Sequence, residues 1–140
     1  MIVVDTGGVI ALLDADDRHH ERLINLYETC GSEWVIPWSV LPEVDYLARA
    51  RLGRGVAAAF LADLAEGRLP VEWGTGDDLR RASELDARYA SLELGLVDAS
   101  VMAMAERLGA RAIVTLDERD FGAVELEGAP ELWPRDLGVG

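Results

Sequence analysis

Two short runs, Ile2-Val3-Val4 and Ala112-Ile113-Val114, constrain this chain more than any other feature. Neither alternates apolar with polar residues, so neither reads as a strand with one wet face. Strands apolar on both sides belong in a parallel sheet that helices cover above and below. Trp34-Val35-Ile36 reads as a further strand, and Leu69 to Trp73 is a third candidate by order along the chain. A weak edge strand is expected around Glu131 to Trp133.

Helical segments separate these runs. One follows Asp5 and breaks near Asp14. The next covers roughly Asp17 to Thr29, with Leu23, Leu26 and Tyr27 at i, i+3 and i+4. Ser39 is the expected N-cap of a helix through about Arg51, with Pro42 tolerated in its first turn. Gly53 and Gly55 precede a helix ending at Gly67, striped by Val56, Phe60 and Leu64. Further helices are expected from Asp77 to Tyr89 and from Asp98 to Leu108. The pattern predicts a three-layer α/β/α fold around a mostly parallel sheet of four to five strands, with right-handed crossovers.

The 140 residues, half of them apolar, are expected to form a single domain over 1–140. That apolar fraction excludes a disordered chain. No apolar run approaches the roughly 20 residues of a membrane span, and MIVVD reaches a carboxylate too early for a signal peptide. One cysteine, Cys30, cannot form an internal disulfide, so the cytoplasm is the expected compartment. The formal charge of −13 comes from 26 acids against 13 arginines, with no lysine. Such a field repels polyanions and argues against nucleic-acid binding by a broad basic face. It leaves room for a nuclease whose acids hold a cation that recruits phosphate.

The acids have an expected place. Ligands of an open parallel sheet bind outside the carboxyl ends of the strands. Asp5 directly follows the first strand, and Asp117 follows Ala112-Ile113-Val114 through Thr115 and Leu116. Helices run back against the strands, so the helix starts holding Glu43 and Asp98 lie at the same rim. These four acids, spaced by 38, 55 and 19 residues, are expected to converge there. Clustered carboxylates raise each other's pKa unless a counter-charge is present. Mg²⁺ or Mn²⁺ suits an all-oxygen site, and no histidine or thiol falls near enough to suggest zinc. A cation there makes water a nucleophile near neutral pH and neutralises a phosphoryl oxygen, which points to phosphodiester hydrolysis. Each acid also has a structural alternative: Asp5 as a turn residue, Asp98 as a cap, and Asp117 in a solvated loop with Glu118 and Asp120.

The segments VVDTGGVIALLDADDRHH, VLPEVDYLA, LVDASVMAMAERLGA and IVTLDERDF, in this order, resemble the signature blocks of PIN-domain nucleases. The VapC-type toxin branch of bacterial toxin–antitoxin pairs is the nearest in pattern, and the match runs from Ile2 to about Val124. The resemblance implies a PIN-like fold and internal RNA cleavage with one or two Mg²⁺ or Mn²⁺ ions, giving 5′-phosphate and 3′-hydroxyl ends. It implies Asp5 and Asp98 as the most direct metal ligands, with Glu43 and Asp117 completing the site. Thr6 and Thr115 match hydroxyl positions that orient the acids, and Asp120 is a weaker candidate beside them. The resemblance also implies a homodimer, and a small VapB-type antitoxin whose C-terminal segment fills the groove. The apolar helices around Leu47 and Phe60 are the expected surface for that partner. Pro42 before Glu43 and the pair Gly7-Gly8 depart from the family's usual residues.

Two competing functions are weighed against this one. A haloacid-dehalogenase-type phosphatase also starts with a strand and an aspartate, but it needs an acid at position 7 and a lysine, and this chain has Gly7 and no lysine. A non-catalytic PIN-like module that binds RNA or protein remains the alternative, although the chain retains all four acids. His19 and His20 read as structural or solvated, Cys30 as an inert thiol, and the four tryptophans as core. Arg49, Arg51 and Arg54 form the best basic cluster, suited either to an RNA backbone or to pairing with the chain's own acids.

Overall fold

The computed structural model describes residues 1–138. Five strands, β1 (Ile2–Val4), β2 (Trp34–Pro37), β3 (Val71–Glu72), β4 (Ala112–Val114) and β5 (Glu131–Trp133), form one sheet. Their order is β3-β2-β1-β4-β5, and each neighbouring pair is parallel. Seven helices connect them: α1 (Thr6–Leu13), α2 (His20–Cys30), α3 (Leu41–Leu52), α4 (Arg54–Ala65), α5 (Gly76–Arg88), α6 (Gly95–Arg107) and α7 (Glu118–Ala123). β1 and β4 lie side by side, with every residue of both strands buried. Strands added after β1 build outward on one side, and those from β4 onward build on the other. The gap between β1 and β4 is therefore the switch point where such sheets open a crevice. No helix among the described residues is long and apolar enough to cross a membrane.

Several local expectations change. Ser39 does not cap α3. A single 3-10 turn over Trp38–Val40 precedes the helix, so its cap position falls on Val40. Ser39 is buried instead, its hydroxyl hydrogen-bonded at 2.7 Å to that of Ser100 in α6. α2 begins at His20 rather than near Asp17, because the Asp14 and Asp17 side chains cap tight turns at the amides of Asp16 and His19. α6 begins three residues before Asp98, at Gly95, which takes a left-handed φ of 76°. β3 shrinks to Val71 and Glu72, and Trp73 beyond it is 73% exposed. Trp34 and Trp133 do lie in the core, and Trp38 is half-buried. α7 is a helix where the sequence suggested a loop.

α6 organises the packing. Its residues Ala99 to Ala105 are all buried, since small Ala and Ser positions let it approach neighbours closely. α5 runs alongside, clasped by bidentate pairs: Arg107 to Asp78 at 2.7 and 3.0 Å, and Arg81 to Glu106 at 2.7 and 3.0 Å. Charge-assisted pairs of this geometry are among the stronger polar contacts.

On the site side, α1 lies against β1 and β4 through Gly8. A Cβ there would meet Val114 Cγ1 at 2.8 Å, with Val114 O and Val4 Cγ1 at 3.1 Å. Gly8→Ala should therefore lower unfolding free energy by ~1–3 kcal/mol, the usual cost of overpacking a filled core. Urea unfolding followed by circular dichroism checks this, and an unchanged midpoint would contradict the close approach.

Candidate active site

Asp5 is the residue after β1, and its amide donates to Val114 O at 2.9 Å, which stitches it to the end of β4. Thr115, the residue after β4, is buried and joins two acids. Its hydroxyl donates to Asp5 Oδ2 at 3.0 Å and accepts the Asp117 amide at 3.1 Å. Asp117 caps α7 by accepting the Asp120 amide at 3.1 Å. Glu43 stands in the first turn of α3, and Asp98 in that of α6. The Ser39–Ser100 hydrogen bond ties the turn before α3 to α6, so the two helix starts are held together from beneath.

The result is an open cavity of about 540 Å³ lined by Asp5, Thr6, Glu43, Asp98 and Asp117, with Leu47, Leu94, Leu96 and Val97 as its apolar wall. The four acids singled out in the sequence thus face one space. One carboxylate oxygen each from Asp98, Asp117 and Asp120 lie within 4.8 Å of one another, a grouping that could hold a metal ion. Asp120 is therefore more central than its sequence context suggested, because α7 turns it back toward Asp117. The cue was the i+3 spacing from a helix cap. Glu43 is exposed at the cavity mouth, and neither it nor Asp5, the expected direct ligand, adds an oxygen to that trio, although both line the same cavity. Thr6 differs from Thr115: its buried hydroxyl has no hydrogen-bond partner, so it orients no carboxylate in this structure.

Among the described residues, no arginine forms an ion pair with Asp5, Glu43, Asp98, Asp117 or Asp120. Arg49, for which the sequence left RNA contact and pairing with the chain's own acids both open, pairs with Asp45 one turn earlier at 3.1 Å. Burial pushes the Asp98 carboxyl up to about 7, and the charges of Asp5, Asp117, Asp120 and Glu43 push in the same direction. Burial likewise raises Asp5 to about 6, helped by Glu43 and Asp117 and opposed by the Thr6 amide and the Thr115 hydroxyl. Asp5 Oδ1 is buried with no hydrogen-bond partner, a costly state for a carboxylate oxygen.

That orphaned oxygen and the all-carboxylate donor set fit a hard divalent cation. The softer ligands are committed elsewhere. His20 Nδ1 lies 2.8 Å from Ala11 O, His19 Nε2 accepts from Arg18, and Cys30 lies beside Arg111.

The raised carboxyls make a pH prediction for the metal-free protein. Between about pH 4 and pH 7 the folded state binds more protons at Asp5 and Asp98 than the unfolded state does, so stability falls as pH rises through that window. Asp98→Asn should flatten that slope and leave metal-free protein more stable than wild type at pH 7.5. Urea unfolding in EDTA across this range tests it, and an identical slope in both proteins would contradict the electrostatic account.

Residues 2–126 match the PIN domain family model. Ribonuclease VapC26 of Mycobacterium tuberculosis is 28% identical over 123 residues, covering 88% of this chain and 91% of that protein. The crystal structure of Mycobacterium tuberculosis VapC20, described as a sarcin-ricin loop cleaving toxin, superposes with a TM-score of 0.80 at 27% identity, over 91% of this chain and 98% of that one. A DNA-bound VapBC structure from Salmonella typhimurium shares the fold at a TM-score of 0.67 and 20% identity, over 94% of this chain and 95% of that one. With the family match spanning nearly all of the sheet and every acid of the cavity, the chain belongs to the PIN-domain family, and its likeness within that family is to VapC-type ribonucleases.

Proposed function

We propose that this chain hydrolyses RNA internally with Mg²⁺ or Mn²⁺, as the toxin of a type II toxin–antitoxin pair in the cytoplasm. The observation that carries the proposal is the convergence of Asp5, Glu43, Asp98, Asp117 and Asp120 with no basic partner. A structural cluster would be neutralised by some of the 13 arginines, seven of which pair with acids elsewhere among the described residues. Leaving this one bare suits a cation that arrives from solution.

In this reading Asp5 and Asp98 would hold the cation directly, and Asp117 and Asp120 would complete its ligand set. When bound, such an ion would supply a neutralising charge for a phosphoryl oxygen and a nucleophilic water near neutral pH. Thr115 fixes the Asp5 carboxylate and the Asp117 backbone at once, which sets the two acids in register. Glu43, exposed at the mouth, would accept the proton of the attacking water. Leu47, Leu94, Leu96 and Val97 would give the reacting phosphate an apolar wall on one side.

The partners follow by analogy with the relatives, whose solved structures include VapBC complexes from Salmonella typhimurium and Rickettsia felis. A small antitoxin would lie along α3 and α4. Phe60 is only 2% exposed and cannot be part of that surface, whereas Tyr46 and Leu61 are 72% and 55% exposed. Arg51 and Arg54 are exposed and form no ion pair among the described residues, so they are free to meet an RNA backbone. A homodimer is the expected assembly.

Purified protein incubated with cellular RNA tests the proposal. Discrete fragments should form with Mn²⁺ or Mg²⁺ and disappear with EDTA. Asp5→Asn and Asp98→Asn should each lose more than the ~10–100-fold expected for a merely supporting partner. Arg51→Ala with Arg54→Ala should weaken RNA binding at all sequences and lower its salt slope by about two. RNA binding without metal-dependent cleavage would favour the non-catalytic module, and equal cleavage by wild type and both Asp variants would overturn the assignment of the acids.

A further inference from the structure

The cavity that holds the acids continues past Asp98. Gly95 and Leu96 line it and also line a second open depression of about 230 Å³ between α5 and α6, completed by Leu79, Ala82, Ser83, Asp86 and Ala99. Leu79 and Leu96 are large apolar side chains left 48% and 57% exposed at its rim. The backbone that presents Leu96 is fixed. Glu93 and Gly95 take left-handed φ values of 52° and 76°, and Asp86 Oδ1 accepts the Gly95 amide at 3.1 Å.

The chemistry of this depression is narrow. Asp86 is its one charged lining residue and no cation faces it, so a phosphate group is not its ligand. Its volume is below the ~300–1,000 Å³ of a small-molecule cleft. What fits is a flat, neutral, largely apolar ring that carries N–H donors on its edge and is joined to whatever occupies the acid cavity. Resting on the nuclease reading, we propose that this depression is a nucleobase subsite, seating an unpaired base of the RNA against Leu79 and Leu96 with its edge on Asp86. Guanine is the preferred occupant, because its N1–H and N2–H₂ give one carboxylate two adjacent donors. That edge is free only in unpaired RNA, where proteins commonly read bases by stacking and edge contacts. Asp86 therefore acts as a specificity residue, in contact with the substrate but not with the reacting phosphate.

The test uses the cleavage-deficient Asp98→Asn protein and fluorescent oligouridines that carry one central guanine, inosine or adenine. Anisotropy should give about tenfold tighter binding for guanine than for adenine, with inosine between them. Asp86→Asn, which can still accept the Gly95 amide, should remove that difference, and Leu79→Ser should weaken binding of the guanine oligomer. Wild-type cleavage of the same oligomers separates the two readings. Metal-dependent cleavage with no base preference in binding sinks the subsite and leaves the nuclease. A guanine preference that depends on Asp86, without cleavage by wild type, supports the subsite and sinks the nuclease. Preference unchanged by Asp86→Asn overturns the inference. So does conversion of a dimer to a monomer by Leu79→Ser in sedimentation, since a second copy of the chain would then cover this face.

Discussion

Burial of carboxylates that no base neutralises governs this structure. Five acids reach one rim of the sheet, and among the described residues no arginine pairs with them. Burial, reinforced by the neighbouring acids, lifts Asp98 to about 7 and Asp5 to about 6. Folding alone would select against such an arrangement. The buried Oδ1 of Asp5, left without a partner, marks where the folded chain is unfinished. A bound divalent cation reverses the sign of the whole term, turning clustered acids from a liability into a ligand set.

The rest of the fold can be understood as the means of holding those acids in place. The switch point between β1 and β4 supplies two of the positions, Asp5 directly after β1 and Asp117 three residues after β4. Close packing at Gly8 lets α1 leave β1 without displacing Val114. The Ser39–Ser100 bond fixes the starts of α3 and α6 together, and the Thr115 hydroxyl joins Asp5 to the Asp117 turn. The clasp of Arg81 and Arg107 between α5 and α6 stabilises α6 from the other side while keeping those guanidiniums away from the acids. Basic charge is spent on the scaffold and kept out of the cavity.

Much of this was legible in the sequence. Ile2-Val3-Val4 and Ala112-Ile113-Val114 declare buried parallel strands, and their order with the helices places Asp5, Glu43, Asp98 and Asp117 at one edge before any coordinate is known. What escaped depends on short-range geometry that periodicity does not encode. Ser39 looks like a cap, yet the 3-10 turn after Pro37 buries it against Ser100, which lies 61 residues away. Phe60 looks like a surface stripe, yet α4 turns it inward. Asp120 looks like one of several loop acids, yet a six-residue helix capped by Asp117 brings it back to the cluster. Trp73 looks like core, yet β3 ends before it. Each miss comes from a tertiary contact or a cap overriding local pattern.

The most direct test of the central claim is diffraction at the manganese edge from crystals of the protein grown with Mn²⁺. The account predicts an anomalous peak in contact with Asp98, Asp117 and Asp5 in wild-type protein, absent from Asp98→Asn crystals grown identically. A wild-type site with no peak at saturating Mn²⁺, or a peak elsewhere with the five carboxylates bare, would contradict the claim that a cation completes this cluster.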